Sequence, residues 1–110
     1  MADAILQHDT TLAEIVRRLV AALSPERIYL FGSKARGEAG PDSDYDLLVV
    51  VPSSDLPGHR RDQLAYRAVR GVGAAKDLLV WTREEFDSRS QVVCSLPATV
   101  LREGRLLYAA

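Results

Sequence analysis

Two aspartates one residue apart, Asp44 and Asp46, stand just ahead of the apolar run Leu47–Val51. Ten residues separate them from the pair Gly32-Ser33, and a third aspartate, Asp77, opens another apolar run in KDLLVWT at 76–82. Residues i and i+2 of a strand point to one face, so Asp44 and Asp46 present their carboxylates together. Gathered carboxylates repel, by roughly 4 kcal/mol for unit charges about 4 Å apart at an effective dielectric near 20. A cation relieves that repulsion, and an oxygen-only ligand set suits Mg²⁺ or Mn²⁺ carrying substrate phosphates. Two such ions can clamp the attacking and leaving oxygens of an in-line phosphoryl displacement. A third carboxylate at the nucleophile can assist its deprotonation.

The Gly-Ser pair supplies the other half of such a site. Gly32 lets the backbone approach a ligand closely. Ser33 can cap a short helical turn through Lys34, Ala35 and Arg36, whose N–H groups would meet phosphate oxygens. Gly32 and Gly37 have P-loop spacing, but Glu38 stands where that loop needs Lys and no Ser or Thr comes next, which argues against a Walker-type ATPase. Each piece alone has an ordinary reading, a turn for Gly-Ser and a solvated strand entry for Asp-x-Asp. The joint pattern is more specific, arising by chance in about one chain of this length in 10³. Arg36 has two readings, a phosphate contact or a pairing with a site carboxylate. Asp42 and Ser43 read as turn residues. Lys34, Arg60 and Arg61 read as solvated surface, and Trp81 as packing on the sheet.

The elements that must position these residues follow from periodicity. Leu12, Ile15, Val16, Leu19, Val20 and Leu23 fall at helical spacing, predicting a helix over 11–23 capped by Thr10 or Thr11. Strands are expected at 27–32, 44–51, 76–82 and 105–109. A helix is expected over 60–72, weakened at its end by Gly71 and Gly73. Thr82 and Glu85 form a T-x-x-E box starting a helix near Arg83. Pro97 and Gly104 bracket another. The order αββαβααβ predicts an α/β or α+β fold, one domain over residues 1–110 with a mixed sheet of about four strands. The strand at 44–51, apolar on both faces after Asp46, is expected to be central. It should pair antiparallel with 27–32 across a hairpin. A helical crossover should make it parallel to 76–82. All three carboxylates then come to one edge of the sheet, beside Gly32.

The totals narrow the chemistry further. The 110 residues can bury roughly 65% of the unfolded surface, enough for one core. Fourteen Lys and Arg against fifteen Asp and Glu leave a net charge of -1, poor material for gripping nucleic acid by its phosphates. The longest aliphatic run is too short to span a membrane. Residues 1–9 lack the pattern of a signal peptide. One cysteine, Cys94, fits a reducing cytoplasm. With only His8 and His59 beside it, a thiolate or imidazole zinc site is not expected.

GSKARGEAGPDSDYDLLVV resembles the signature of the DNA polymerase β-like nucleotidyltransferase superfamily, and within it the minimal nucleotidyltransferase (MNT) family. Gly32, Ser33, Asp44 and Asp46 meet that signature, and Asp77 in AKDLLVWT matches its third carboxylate. The similarity extends over nearly the whole chain, including WTREEF and REGRLLYA. The resemblance implies transfer of a nucleoside monophosphate, with ATP as donor and two Mg²⁺ ions. Asp44 and Asp46 would bind both ions, and Asp77 the one at the acceptor hydroxyl. Gly32 and Ser33 would hold the β- and γ-phosphates. Family members commonly act as antitoxins of HEPN/MNT toxin–antitoxin systems, some by transferring AMP to tyrosines of a HEPN-domain RNase toxin. Two other readings stay open: an antitoxin that only binds and occludes its partner, and a small-molecule, aminoglycoside-type nucleotidyltransferase. A chain devoted to the catalytic palm leaves no room for an acceptor-binding domain. The acceptor site is therefore expected to be completed by a partner or a second copy.

Overall fold

Tyr45–Val51 (β2) is buried on both faces save for a half-buried Asp46, which is why it can only be an interior strand. In the computed structural model, which describes residues 5–37, 40, 43–92 and 94–110, β2 lies between Arg27–Phe31 (β1) and Lys76–Thr82 (β3). β1 pairs with it antiparallel and β3 parallel, as the hairpin and crossover connections require. Arg105–Ala109 (β4) adds antiparallel to β1, giving the order β3-β2-β1-β4.

Side-chain alternation splits the core between the two faces. Leu12, Ile15, Val16 and Leu19 come from the helix Thr10–Leu23 (α2). They pack with Ile28, Leu30, Leu47, Val49, Leu78 and Val80 on one face. The helix Gly58–Ala68 (α4) adds Ala65 there. On the other face Phe86 from Arg83–Arg89 (α5) and Val100 from Leu96–Glu103 (α6) close over Tyr29, Leu48 and Val50. Phe86 stacks on Tyr29 with centroids 5.6 Å apart.

Two further helices complete the order. Ile5–His8 is a single turn (α1) that the sequence pattern did not indicate, and Gly32–Arg36 (α3) is the short turn inside the β1–β2 hairpin. The cap of α2 is neither Thr10 nor Thr11. Asp9 is extended and its Oδ1 accepts the Leu12 N–H at 3.0 Å, so α2 begins at Thr10. α4 runs from Gly58 to Ala68 rather than over 60–72, with a left-handed Gly71 in the turn beyond it. The Thr82–Glu85 capping box forms as expected. Gly104 ends α6 without a positive φ. It is required by proximity instead, since a Cβ there would meet Val100 O at 2.5 Å and Leu30 O at 3.0 Å.

α4 also closes the outer edge of β3. Leu78 N–H donates to Tyr66 Oη at 3.0 Å and Val80 N–H to Asp62 Oδ1 at 2.8 Å. Arg61, expected on the surface, is buried. Its Nε donates to Val80 O, one Nη to Leu56 O and the other to Glu85 Oε1 at 2.6 Å. A guanidinium can be buried when its donors are met, and here α4, β3 and α5 meet them.

Candidate active site

Phe31, the last residue of β1, is the cross-strand partner of Asp46, and Asp46 is the register partner of Asp77 on β3. Asp44 lies just ahead of β2, two residues before Asp46, and its charge reaches that carboxylate. All three aspartates stand at the edge of the sheet where β2 and β3 begin, as the topology reading required. Asp46 is half-buried, while Asp44 and Asp77 are exposed.

Gly32 is where the chain leaves β1 and turns into α3. Its φ is +75°, and a Cβ placed on it would fall on Asp46 Oδ2. Glycine is therefore demanded twice, by the left-handed backbone and by the carboxylate packed against it. Ser33 lies inside the first turn of α3 and does not cap it. The cap position is Phe31, which offers no side-chain acceptor, so the first N–H groups of α3 keep no intrahelical partner. Gly37, at φ +73°, closes the turn by donating to Ser33 O and Lys34 O. Glu38 and Asp42 lie outside the described residues.

Burial is the main influence that raises the Asp46 pKa above the ordinary carboxylate value, followed by the negative charges of Asp77 and Asp44. Arg36 opposes them. The guanidinium of Arg36 thus acts on Asp46 through its charge. Lys34 is not solvated surface. Its Nζ sits 4.4 Å from the centroid of the Tyr45 ring, a cation–π contact.

Tyr45 and Tyr66 are the residues that the sequence reading passed over. Tyr45 sits between the two site aspartates but points to the opposite face, where its hydroxyl donates to Asp9 Oδ2 at 2.8 Å. Asp9 therefore fastens the start of α2 to the start of β2. Burial and then the Asp9 hydrogen bond push the Tyr45 pKa up to about 12. Below pH 10 the phenol is neutral in both folded and unfolded chains. Between pH 10 and about 12 only the unfolded chain ionises, so stability falls across that window. Tyr45→Phe is expected to lose about 1 kcal/mol at neutral pH for the missing hydrogen bond. It should also lose stability less steeply than the parent above pH 10, which denaturant unfolding along a pH series measures.

Tyr66 reaches β3 from α4. Its hydroxyl, while accepting from Leu78 N–H, donates to Asp77 Oδ1 at 3.3 Å. Nothing in the spacing of Tyr66 signals this, because the contact exists only once α4 lies along the β3 edge. Among the described residues no three His, Cys, Asp or Glu side chains are gathered closely enough to hold a metal ion. The backbone register brings the aspartates together, but Asp77 leans on Tyr66 and Asp46 on Gly32. The donor set nonetheless fits a hard divalent cation. All its ligands are oxygens, and the raised Asp46 pKa reflects burial and a like-charge field that such a cation would relieve. No helix among the described residues is long and apolar enough to cross a membrane.

Comparison with known proteins finds relatives in both sequence and fold. A protein of Methanocaldococcus jannaschii named "putative protein adenylyltransferase" is 32% identical over 83 residues, covering 76% of this chain and 78% of its own. A crystal structure of a toxin–antitoxin with AMP-PNP superposes with a TM-score of 0.64 at 26% identity, over 89% of this chain and 73% of that one. A variant of the toxin–antitoxin MntA–HpeT gives 0.62 at 26% identity, over 90% and 72%. A nucleotidyltransferase-type structure from Sulfolobus solfataricus shares the fold, with a TM-score of 0.65 at 24% identity over 91% and 78%. The family model of the nucleotidyltransferase domain matches residues 10–106, and the chain belongs to that family.

Proposed function

We propose that this nucleotidyltransferase is an antitoxin that transfers AMP from ATP to a tyrosine hydroxyl of a HEPN-type RNase toxin. The observation that carries the reading is the register of Asp46 against Asp77, with the charge of Asp44 reaching Asp46 and Gly32 packed against it. The relative named as a protein adenylyltransferase and the two toxin–antitoxin structures support it. Asp44, Asp46 and Asp77 would hold two Mg²⁺ ions, which when bound supply Lewis-acid stabilisation of the phosphoryl charge. Gly32 and Ser33 present first-turn N–H groups to the β- and γ-phosphates, and Arg36 stands within the electrostatic reach of that site. Asp77 orients the acceptor hydroxyl and takes its proton. The new bond joins the acceptor oxygen to the α-phosphorus. The bond from that phosphorus to the oxygen bridging to the β-phosphate breaks, and pyrophosphate leaves.

The test is to mix the chain with α-labelled ATP, Mg²⁺ and its co-encoded partner. Label on a partner tyrosine is expected. Binding without label would sink the transfer reading. One observation favours occlusion as the second reading, namely that the three carboxylates are not drawn into a closed ligand cluster. The Asp44→Asn/Asp46→Asn double variant separates the two. If it protects cells as well as the parent does, occlusion suffices. If it binds the toxin without protecting, transfer is the mechanism.

A further inference from the structure

The C-terminal half of α4, the turn after it and the start of β3 enclose an open cleft of about 560 Å³. Tyr66, Arg67, Arg70, Gly71 and Lys76 line it. Tyr66 connects this cleft to Asp77, because the hydroxyl of a residue on its wall donates to Asp77 Oδ1. On the proposed reading Asp77 is the carboxylate at the acceptor hydroxyl, so the cleft opens on the side from which the acceptor arrives.

Its two arginines, like the exposed Arg60 earlier on α4, are without a carboxylate partner among the described residues, unlike the others named next. Arg17 and Arg18 pair with Glu14, Arg27 with Asp87, Arg61 with Glu85 and Arg83 with Glu26. Arg67 and Arg70 are exposed, and among the described residues neither has a carboxylate partner. Two unmatched guanidinium groups three residues apart, one in the last turn of α4 and one in the turn after it, are forks suited to carboxylates. The floor beneath them is braced. Lys76 Nζ donates to Val72 O and Ala74 O, and Arg18 donates to Arg70 O. The lining offers no broad apolar wall for a small ligand. A chain of net charge -1 with one aromatic ring in the cleft is ill suited to hold a nucleic acid strand.

We propose that this cleft is the docking groove for the acceptor, and that the acceptor is a polypeptide carrying carboxylates close to its tyrosine. The proposal rests on the reading of Asp77 above and specifies its substrate class. The acidic segment lies over Arg67 and Arg70, and the incoming tyrosine reaches Asp77 past Tyr66.

Fluorescent Glu/Tyr copolymer, titrated into the chain without nucleotide, tests this by anisotropy. Binding that weakens with salt is expected, with none to a Lys/Tyr copolymer. Arg67→Glu/Arg70→Glu should weaken binding at least about tenfold, and Arg67→Gln/Arg70→Gln less. Arg17→Glu, a charge reversal elsewhere on the surface, should leave it unchanged. Circular dichroism checks that each variant keeps the fold. Equal binding by the double charge reversal, or no binding by the parent, overturns the proposal. So does a thymidine oligonucleotide that binds the parent more tightly than the copolymer does and loses binding in the double reversal. Copolymer binding is read without nucleotide and does not depend on transfer. Failure of AMP transfer alone would therefore count against the proposed function and leave the groove standing.

Discussion

Asp46→Asn is expected to cut nucleotidyl transfer by about three orders of magnitude, as removal of a group that stabilises transition-state charge does elsewhere, and at the same time to raise the melting temperature at neutral pH. The two effects share one cause. Asp46 is partly buried beside Asp44 and Asp77, and its pKa is raised. A carboxyl whose folded pKa lies above its unfolded value contributes stability in full below the unfolded pKa. That stability is lost as pH rises through the folded pKa. At pH 7 the ionised Asp46 is therefore a liability that Asn removes, whereas below pH about 4 both chains carry a neutral group and the advantage disappears. Calorimetry of parent and variant across pH 3 to 8 checks the sign. Mg²⁺ with ATP should raise the melting temperature of the parent and leave that of the variant nearly unmoved, because only the parent gains binding energy. A variant that melts lower at pH 7 would show that the Asp46 carboxylate stabilises the fold.

Gly32→Ala is expected to damage both fold and site. A non-glycine residue held left-handed costs roughly 1–2 kcal/mol. The added methyl would also clash with Asp46 Oδ2. Either β1 and α3 shift or the carboxylate swings away. A displacement of about 1 Å at a reacting centre can cost on the order of 100-fold in rate. The measurements are turnover and denaturant unfolding. Gly37→Ala is the matched control. It shares the positive φ but has open space around its Cβ, so it should lose comparable stability and keep most activity.

Much of the frame was legible because one strand is unambiguous. A run that is apolar on both faces has to be interior, and the lengths of the segments on either side of 44–51 then dictate an antiparallel and a parallel neighbour. With those two pairings, Gly32, Asp44, Asp46 and Asp77 reach the same end of the sheet without further information. What escaped were side-chain contacts between elements distant in sequence. Arg61 reads as surface because arginine is costly to bury. Only the arrival of Val80 O, Leu56 O and Glu85 around it removes that cost. Lys34 is drawn over Tyr45 by the hairpin. Asp9 wins the cap of α2 over two threonines, and its second oxygen is engaged by Tyr45, 36 positions away. Tyr66 belongs to the same class, a hydroxyl whose partners are set by how α4 lies against β3.

That packing of α4 also decides how this sheet can meet other chains. The outward N–H groups of Leu78 and Val80 are spent on Tyr66 and Asp62, so the β3 margin has little left with which to template a foreign strand. The other margin of the sheet is β4, with β1 standing between it and Asp46. A strand added at that margin would leave the carboxylates open to solvent.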